Sequence, residues 1–282
     1  MNCQKRVAAI HDISGFGKCS LTAALPILSA AGIETAVMPT AVLSTHTGGF
    51  EGYTYRDLTA DMRPITKHWK SIGLEFDAIY SGFLGSFEQI EIVKEFIDTF
   101  RRDGVVVLVD PAMADNGAMY PVFNMDFAKE MAKLCAKADI IVPNMTEAAF
   151  LLGEEYRERP YEKKYVERLL RGLCDLGPSK TVLTGVMFEE KRLGSAAFDK
   201  NSGEISYAFA DTVQGMFHGT GDIYASAMLA AYLNGHSLAD SAQIAVDFTS
   251  GSIRRTKDAG TDVRFGVNFE AGLPDLMRAI GI

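Results

Sequence analysis

Five consecutive residues, His218-Gly219-Thr220-Gly221-Asp222, combine the side chains and the backbone freedom that phosphoryl chemistry needs. Phe217 precedes them, and an apolar run over residues 223–233 follows. Thr and Asp beside glycines, ahead of apolar residues at helical spacing, read as a loop opening a helix. Glycine lets a backbone approach a ligand closely, and the first N–H groups of a helix make an anion site. A carboxylate repels an anion that is merely held. Its presence makes sense if Asp222 takes the proton from a hydroxyl that attacks a phosphoryl group. The same residue types also make a helix N-cap, so this stretch alone leaves both readings open.

Other polar residues follow apolar runs in the same way. Asp110 closes the β-branched run 105–109. Asn144 and Glu147, spaced N-x-x-E, follow the next apolar run. These are hard oxygen ligands suited to Mg²⁺, directly or through water. They are equally a strand-end turn and a helix cap with an acid in its first turn. The segment 110–120 holds Asp110, Asp115, Asn116, Gly117 and Tyr120 in an irregular stretch. It reads as a flap that excludes water from a bound nucleotide, or as a solvated connection. His46 reads as a pocket residue or a structural hydrogen-bonder, Lys18 as a phosphate contact or a solvated first-turn residue. Trp69, Tyr53 and Tyr55 read as packing or dimer-surface residues.

The elements that must position these groups alternate. Strands are expected at residues 7–10, 35–38, 78–80, 105–109, 139–142 and 181–183. Helices are expected at 19–31, 58–72, 87–102, 125–138, 146–152, 164–176, 223–233, 238–254 and 269–280. Residues 11–17 and 39–52 read as loops, and 195–198 with 205–209 as a hairpin around Asn201-Ser202-Gly203. This alternation predicts one α/β domain over residues 1–282, a three-layer αβα sandwich with a mostly parallel sheet and an antiparallel hairpin at one edge. Ligands bind such sheets at the carboxyl ends of the strands. Asp12, Ser81, Asp110, Asn144 and Thr184 all fall there.

Bulk properties narrow the partners. The net charge is -8 with no basic cluster, which argues against nucleic acid or an anionic membrane as the main partner. A nucleotide ligand would then need Mg²⁺ and backbone N–H groups for its positive field. The four cysteines are widely spaced, without a C-x-x-C pair, so neither a zinc site nor a disulfide framework is suggested. With no visible signal peptide and no apolar run near membrane-spanning length, the expected location is the cytoplasm.

Five stretches carry a resemblance: P-T-A-V-L-S-T-H-T-G-G-F (39–50), S-G-F-L-G-S (81–86), D-P-A-M-A-D-N-G-A-M-Y (110–120), P-N-M-T-E-A (143–148) and F-H-G-T-G-D (217–222). With them the chain resembles the ribokinase-like small-molecule kinases, and among these the vitamin B6 kinases. The resemblance implies ATP-dependent phosphorylation of a B6 vitamer, with ATP, Mg²⁺ and a monovalent cation as accessory groups, in a homodimer. It implies Asp222 as base and Gly219, Thr220 and Gly221 as an anion hole. Asp110 and Glu147 would organise Mg²⁺ and the phosphates, with Asn144 beside them. Asp115 and Tyr120 would cover ATP, and Thr184 and Phe217 would line its pocket. His46, Thr47, Ser81 and Phe83 would line the vitamin pocket. Many B6 kinases carry Ser at the position of Asp12, often Tyr at Phe83 and a polar residue at Val142. The stretch Asp12-Ile13-Ser14-Gly15-Phe16-Gly17 instead resembles D-x-S-G-G-x-G of hydroxymethylpyrimidine kinases. Asp12 and Ser14 thereby join the candidate substrate contacts, and a hydroxymethylpyrimidine becomes the alternative acceptor.

Overall fold

The computed structural model describes residues 4–282. Cys3 lies outside the described residues. In chain order the elements are β1 (Arg6–Ser14), α1 (Leu21–Ala30), β2 (Glu34–Leu43), β3 (Tyr55–Asp57), α2 (Thr59–Ser71), β4 (Ala78–Ser81), α3 (Phe87–Phe100), β5 (Val106–Val109), β6 (Ala114–Asp115), β7 (Ala118–Met119), α4 (Met125–Cys135), β8 (Ile140–Ile141), α5 (Met145–Leu151), α6 (Lys163–Asp175), β9 (Lys180–Glu189), β10 (Arg192–Asp199), β11 (Glu204–Asp211), α7 (Thr220–Leu233), α8 (Leu238–Asp258) and α9 (Leu273–Ile280). A nine-stranded sheet runs β11-β10-β9-β8-β5-β4-β1-β2-β3. The pairs from β2 through β9 are parallel, whereas β9-β10-β11 at one edge and β3 at the other are antiparallel.

The two faces of the sheet are covered by different helices. One core joins Met62 of α2, Val93 and Phe96 of α3, Phe127 and Met131 of α4, and Leu169 and Leu170 of α6 to strand residues such as Ile10 and Val107. The other joins Ile27 and Leu28 of α1, most of α7, Ala245 of α8 and Leu276 of α9 to Val7, Tyr80 and Leu108. Alternate residues of β1 feed the two cores, as the period of a strand requires. Helix α7 is apolar all round and buried from Ile223 to Ala231, packed between α1 and α8. Its first turn, Thr220 to Asp222, is only partly buried but continuous with that packed body. The three-layer αβα reading and the edge hairpin of β10 and β11 stand.

Four stretches differ from expectation. Strand β9, expected over 181–183, runs from Lys180 to Glu189, so Thr184 lies within it rather than at its end. Residues 11–14 are strand rather than loop, with the register shifting between His11 and Ile13, so Asp12 sits at a bulge. Strand β2 continues to Leu43, and β3 beyond the loop pairs back on it, so only residues 44–52 of the expected loop over 39–52 are irregular. The stretch 110–120 is a two-stranded ribbon, β6 against β7, turned by Asn116-Gly117 with φ of +49° and +80°. Two residues with positive φ are what the tightest hairpin turn demands. Trp69 packs against Phe76 and Phe96 as a core residue, while Tyr53 and Tyr55 are exposed.

Candidate active site

Helix α7 begins at the carboxyl-end rim of the parallel strands. Its N-cap, Gly219, has φ +76°, and a Cβ there would stand 2.4 Å from the Lys18 carbonyl oxygen. Glycine is required on both counts. No side chain caps the helix. The first amide bonded along α7 is Ile223, to Gly219 O at 3.1 Å, so the N–H groups of Thr220, Gly221 and Asp222 have no acceptor among the described residues. Of the two readings of this stretch, the geometry carries the open amide cradle rather than the side-chain cap.

Asp222 is half-buried beside that cradle. Burial raises its pKa to about 6, the nearby Asp12 carboxylate adds to the rise, and the backbone N–H of Ser20 opposes it. A carboxylate poised there accepts a proton at neutral pH yet is a better base than a free aspartate. Asp12 is buried, and its two oxygens accept from the Ser20 hydroxyl at 2.6 Å and the Ser14 hydroxyl at 2.9 Å. Burial raises its pKa as well. No Lys or Arg pairs with Asp12 or Asp222 among the described residues, although the nearby His46 imidazole pulls the Asp12 pKa down.

Loops from three parts of the chain close over this acidic pocket. His46 accepts the Gly48 N–H on Nδ1 at 3.0 Å. Its Nε2 therefore carries the proton and donates to the Arg264 carbonyl at 2.6 Å. That double bond makes His46 a structural tie, and burial lowers its pKa. Gly17, at φ +112°, leaves room for its ring: a Cβ there would be 2.0 Å from His46 Cδ2. Lys18 donates to Asn268 at 3.1 Å and to Glu270 at 3.0 Å, which removes it as a phosphate contact in this geometry. Phe16, Phe50 and Phe265 meet at the mouth, with Phe50 and Phe265 stacked at 6.3 Å. The ring of His218 lies 5.1 Å from that of His46. Thr47 is exposed beside them.

The second half of the rim lies over β5, β8 and β9. Asn144 and Glu147 form a full capping box on α5. Glu147 Oε2 accepts the Asn144 N–H at 2.8 Å, and Oε1 accepts those of Met113 at 3.0 Å and Ala114 at 3.5 Å. Asn144 donates to Ala114 O at 2.8 Å, and Thr146 accepts the Gly117 N–H at 3.0 Å. The cap therefore straps the ribbon to the rim. Thr184, within β9, bridges to Asn144 just past the end of β8, its N–H donating to Pro143 O at 3.0 Å. Phe217 packs against the second core and leaves its carbonyl to the Thr220 hydroxyl at 3.4 Å.

Asp110 differs from Glu147. It is buried at 8 % exposure, yet no described group donates to its carboxylate. Its pKa is raised by burial, then by Glu147 and by Asp222. Glu147 is raised by burial too, with three amides pulling it back. Among the described residues no group of three or more His, Cys, Asp and Glu has the spacing of a metal centre. The donor set still fits Mg²⁺, which takes few protein oxygens and keeps water and phosphate ligands. Of the two expected metal residues, Asp110 has free lone pairs, whereas Glu147 has its oxygens committed to amides.

Ser81 is buried at the end of β4 with its hydroxyl unpartnered, and Phe83 packs against Phe123 on the ribbon side, apart from His46. Asp115 is exposed at the ribbon turn and accepts the Asn116 N–H at 2.8 Å. Tyr120 is half-buried beside Glu147 and Asp115, its phenol pushed up by burial. Ser20, Thr146 and residues 262–270 were not legible as site residues. Ser20 betrays itself only by a backbone φ of +54°, and the 262–270 segment only by contacts more than 200 residues away.

The model of the phosphomethylpyrimidine kinase family matches residues 20–266. A Bacteroides thetaiotaomicron protein provisionally named a phosphomethylpyrimidine kinase, crystallised with pyridoxal, is 37% identical; the match covers 97% of this chain and 96% of that one at a TM-score of 0.93. The pyridoxal kinase of Lactobacillus plantarum is 29% identical, with 98% of each chain covered and a TM-score of 0.90. The hydroxymethylpyrimidine/phosphomethylpyrimidine kinase of Bacillus subtilis is 26% identical over 187 residues, 66% of each chain.

Proposed function

The chain belongs to the phosphomethylpyrimidine kinase family, and from that premise we propose that it moves the terminal phosphoryl group of ATP onto the 5'-hydroxymethyl of pyridoxal, pyridoxine or pyridoxamine. It is a phosphotransferase of the ribokinase-like fold, of the B6 or pyrimidine kinase type. The observation that carries the reading is Asp222 beside the unpaired amides of Thr220–Asp222, at the carboxyl rim of the sheet.

In this reading Asp222 accepts the hydroxymethyl proton as the oxygen attacks the phosphorus. The amides of residues 219–222 hold the equatorial oxygens of the moving phosphoryl group. Phosphoryl transfer asks for placement and charge stabilisation more than covalent help, and a rigid helix start supplies both. Asp110 would hold Mg²⁺, with Glu147 fixing the backbone around it. Bound there, Mg²⁺ supplies the positive charge that neutralises the phosphate oxygens. The ribbon, with Asp115 and Tyr120, would cover the nucleotide, and Asn144, Thr184 and Phe217 would line its pocket. Asp12, Ser14, His46, Thr47, Ser81 and Phe83 would shape the vitamin pocket, His46 through the loops it ties together. A homodimer and a monovalent cation remain part of the proposal on resemblance alone.

Pyridoxal bound to the 37% identical Bacteroides protein supports a B6 vitamer as acceptor. The second reading, a hydroxymethylpyrimidine, is favoured by Asp12: a buried carboxylate without a Lys or Arg partner suits an amino group or a ring N–H. A panel of pyridoxal, pyridoxine, pyridoxamine, hydroxymethylpyrimidine and ribose with ATP and Mg²⁺ decides between them. The highest kcat/KM is expected on a B6 vitamer. A higher value on the pyrimidine would replace the proposal, and turnover on none of them would end it.

A further inference from the structure

We propose that His218 is a positioning residue for the acceptor: its ring is the stop against which residues 44–52 close, and it fixes that loop relative to the open amides at the start of α7. The inference rests on the reading of those amides as the phosphoryl site. It does not depend on which alcohol is the acceptor.

Gly48 is the observation that carries it. Gly17, Gly49 and Gly219 of the same rim have positive φ, which by itself favours glycine. Gly48 does not, so its backbone conformation asks for no particular residue. A Cβ there would nevertheless stand 2.5 Å from Nδ1 and 2.6 Å from Cε1 of His218, closer than side chains pack. Glycine at this position is the space that the His218 ring occupies.

The ring has little room to yield. The His46 ring lies 5.1 Å from it, tilted by 38°. His46 is itself held at both nitrogens, by the Gly48 N–H at 3.0 Å and the Arg264 carbonyl at 2.6 Å. A Cβ on Gly49 would be 3.8 Å from His218 Nε2. The series continues outward. Phe50 meets His46 edge to face at 5.0 Å, Phe265 stacks on Phe50, and Arg264 Cζ lies 5.8 Å from the Phe50 ring. Four rings thus run from the amide cradle to the mouth of the pocket, and His218 is the innermost.

Both partners of the contact are anchored elsewhere. His218 precedes Gly219, the N-cap of α7, which abuts the Lys18 carbonyl. The loop is closed at its base, where the Thr54 N–H donates to Ser44 Oγ at 2.9 Å, and the His46 N–H donates to Phe16 O at 3.2 Å. With base and mouth tied, the contact between Gly48 and His218 sets how deeply the loop, with Thr47 on it, lies over the pocket. A displacement of about 1 Å between reacting groups costs on the order of a hundredfold in rate, so that depth bears directly on transfer.

A double-mutant cycle tests this. Gly48→Ala drives a methyl group into the ring. It is expected to lower kcat by about tenfold to a hundredfold and to raise KM for the acceptor, with KM for ATP changing less than about twofold. His218→Ala removes the stop and is expected to cost about tenfold in kcat. In the His218→Ala background the methyl group enters vacated space, so adding Gly48→Ala should cost less than about twofold more. Amide hydrogen exchange of residues 44–52 in the protein without ligands should quicken about tenfold in each single variant and be no faster in the double variant than in His218→Ala. If Gly48→Ala alone does not fold, its rescue by His218→Ala supports the contact, and failure of that rescue overturns it. Gly48→Ala costing the same in both backgrounds overturns the proposal. So does a KM for ATP that rises with that of the acceptor, because the ring would then serve the nucleotide. Exchange that follows the cycle while kcat does not refutes the positioning role. Should the wild type phosphorylate no alcohol, the functional reading fails, and the exchange cycle decides the contact between His218 and Gly48 by itself.

Discussion

The two halves of the rim are built by opposite means. Over β5, β8 and β9 the chain uses local devices: a capping box at Asn144 and Glu147, and a two-residue hairpin at Asn116-Gly117. Over β1 and β2 it uses strain held from a distance. Lys18 and Ser20 have positive φ, Gly17 and Gly219 touch neighbours that leave no room for a Cβ, and residues 262–270 clasp the loop through His46 and Lys18. In the proposed function the first half would grip a nucleotide used by many enzymes, and standard parts suffice for that. The second would fit one acceptor and one base, which calls for a backbone arrangement that no local sequence preference would choose.

The sharpest way to break this contrast is at Asp222. Asp222→Asn keeps the size and the surroundings of the side chain and removes its basicity. It is expected to lower kcat by about 10²–10⁴ with an unchanged circular dichroism spectrum, because only a proton acceptor is lost. Near-normal turnover would mean that the strained half positions something other than a base. In the wild type the acid limb of kcat/KM should fall near the Asp222 value of about 6, activity being lost below it as the carboxylate takes its proton.

Next in size is the pair Asp110 and Glu147, which share burial and sign but not hydrogen bonds. Glu147→Gln places an NH₂ group among the N–H groups of Met113, Ala114 and Asn144. At least one buried donor is then left unpaired. A loss of about 2–4 kcal/mol in urea unfolding is expected, with a raised KM for ATP as the ribbon loosens. Asp110→Asn removes a buried charge that no described group compensates. It should leave stability unchanged or higher, while kcat falls about a hundredfold and its Mg²⁺ dependence flattens. Equal stability losses in the two variants would erase the distinction between a ligand and a support.

These residues also show what a sequence can disclose. Asp110 and Asn144 are legible because a strand must end where a parallel sheet presents its ligands, and N-x-x-E reads as a cap from its spacing alone, whereas Thr184, expected at a strand end, lies within β9. Asn116-Gly117 carried a hairpin signal too, but flanking strands of two residues each are too short for alternation to register. Asp12 was legible as a polar residue after a strand, yet its partner Ser20 was not. The bond between them depends on a bulge and a positive φ that neither residue type favours. The tie from His46 to Arg264 spans 218 residues, and nothing at either end announces the other.

Glycine substitutions compare the halves at smaller amplitude. Gly219→Ala would put a Cβ 2.4 Å from a carbonyl of a pinned backbone, at φ +76°. Gly117→Ala has the same kind of φ, +80°, but meets the ring of Tyr156 at 2.8 Å, a side chain that can turn aside. A loss of about 2–3 kcal/mol is expected for the first and about 1 kcal/mol for the second, with kcat falling only in the first. Thermal melts and steady-state kinetics on the two variants decide it.

The smallest effect is on stability against pH, and its sign follows from the acids at the rim. Asp222 and Asp110 are raised from 3.8, and Glu147 from 4.5. Each holds its proton more tightly folded than unfolded. The stability they contribute is therefore full below those unfolded values and is lost as pH rises through the folded ones, from about 6 for Asp222 upward. Asp110→Asn should be stabilising relative to wild type at pH 8 and close to neutral at pH 4, read as a difference in Tm. Mg²⁺ should narrow that difference at pH 8 by stabilising only the wild type, since a cation restores what the buried charge costs. If Mg²⁺ raises both melting temperatures equally, the ion binds elsewhere, and the half built from standard parts has lost its claim to the phosphates.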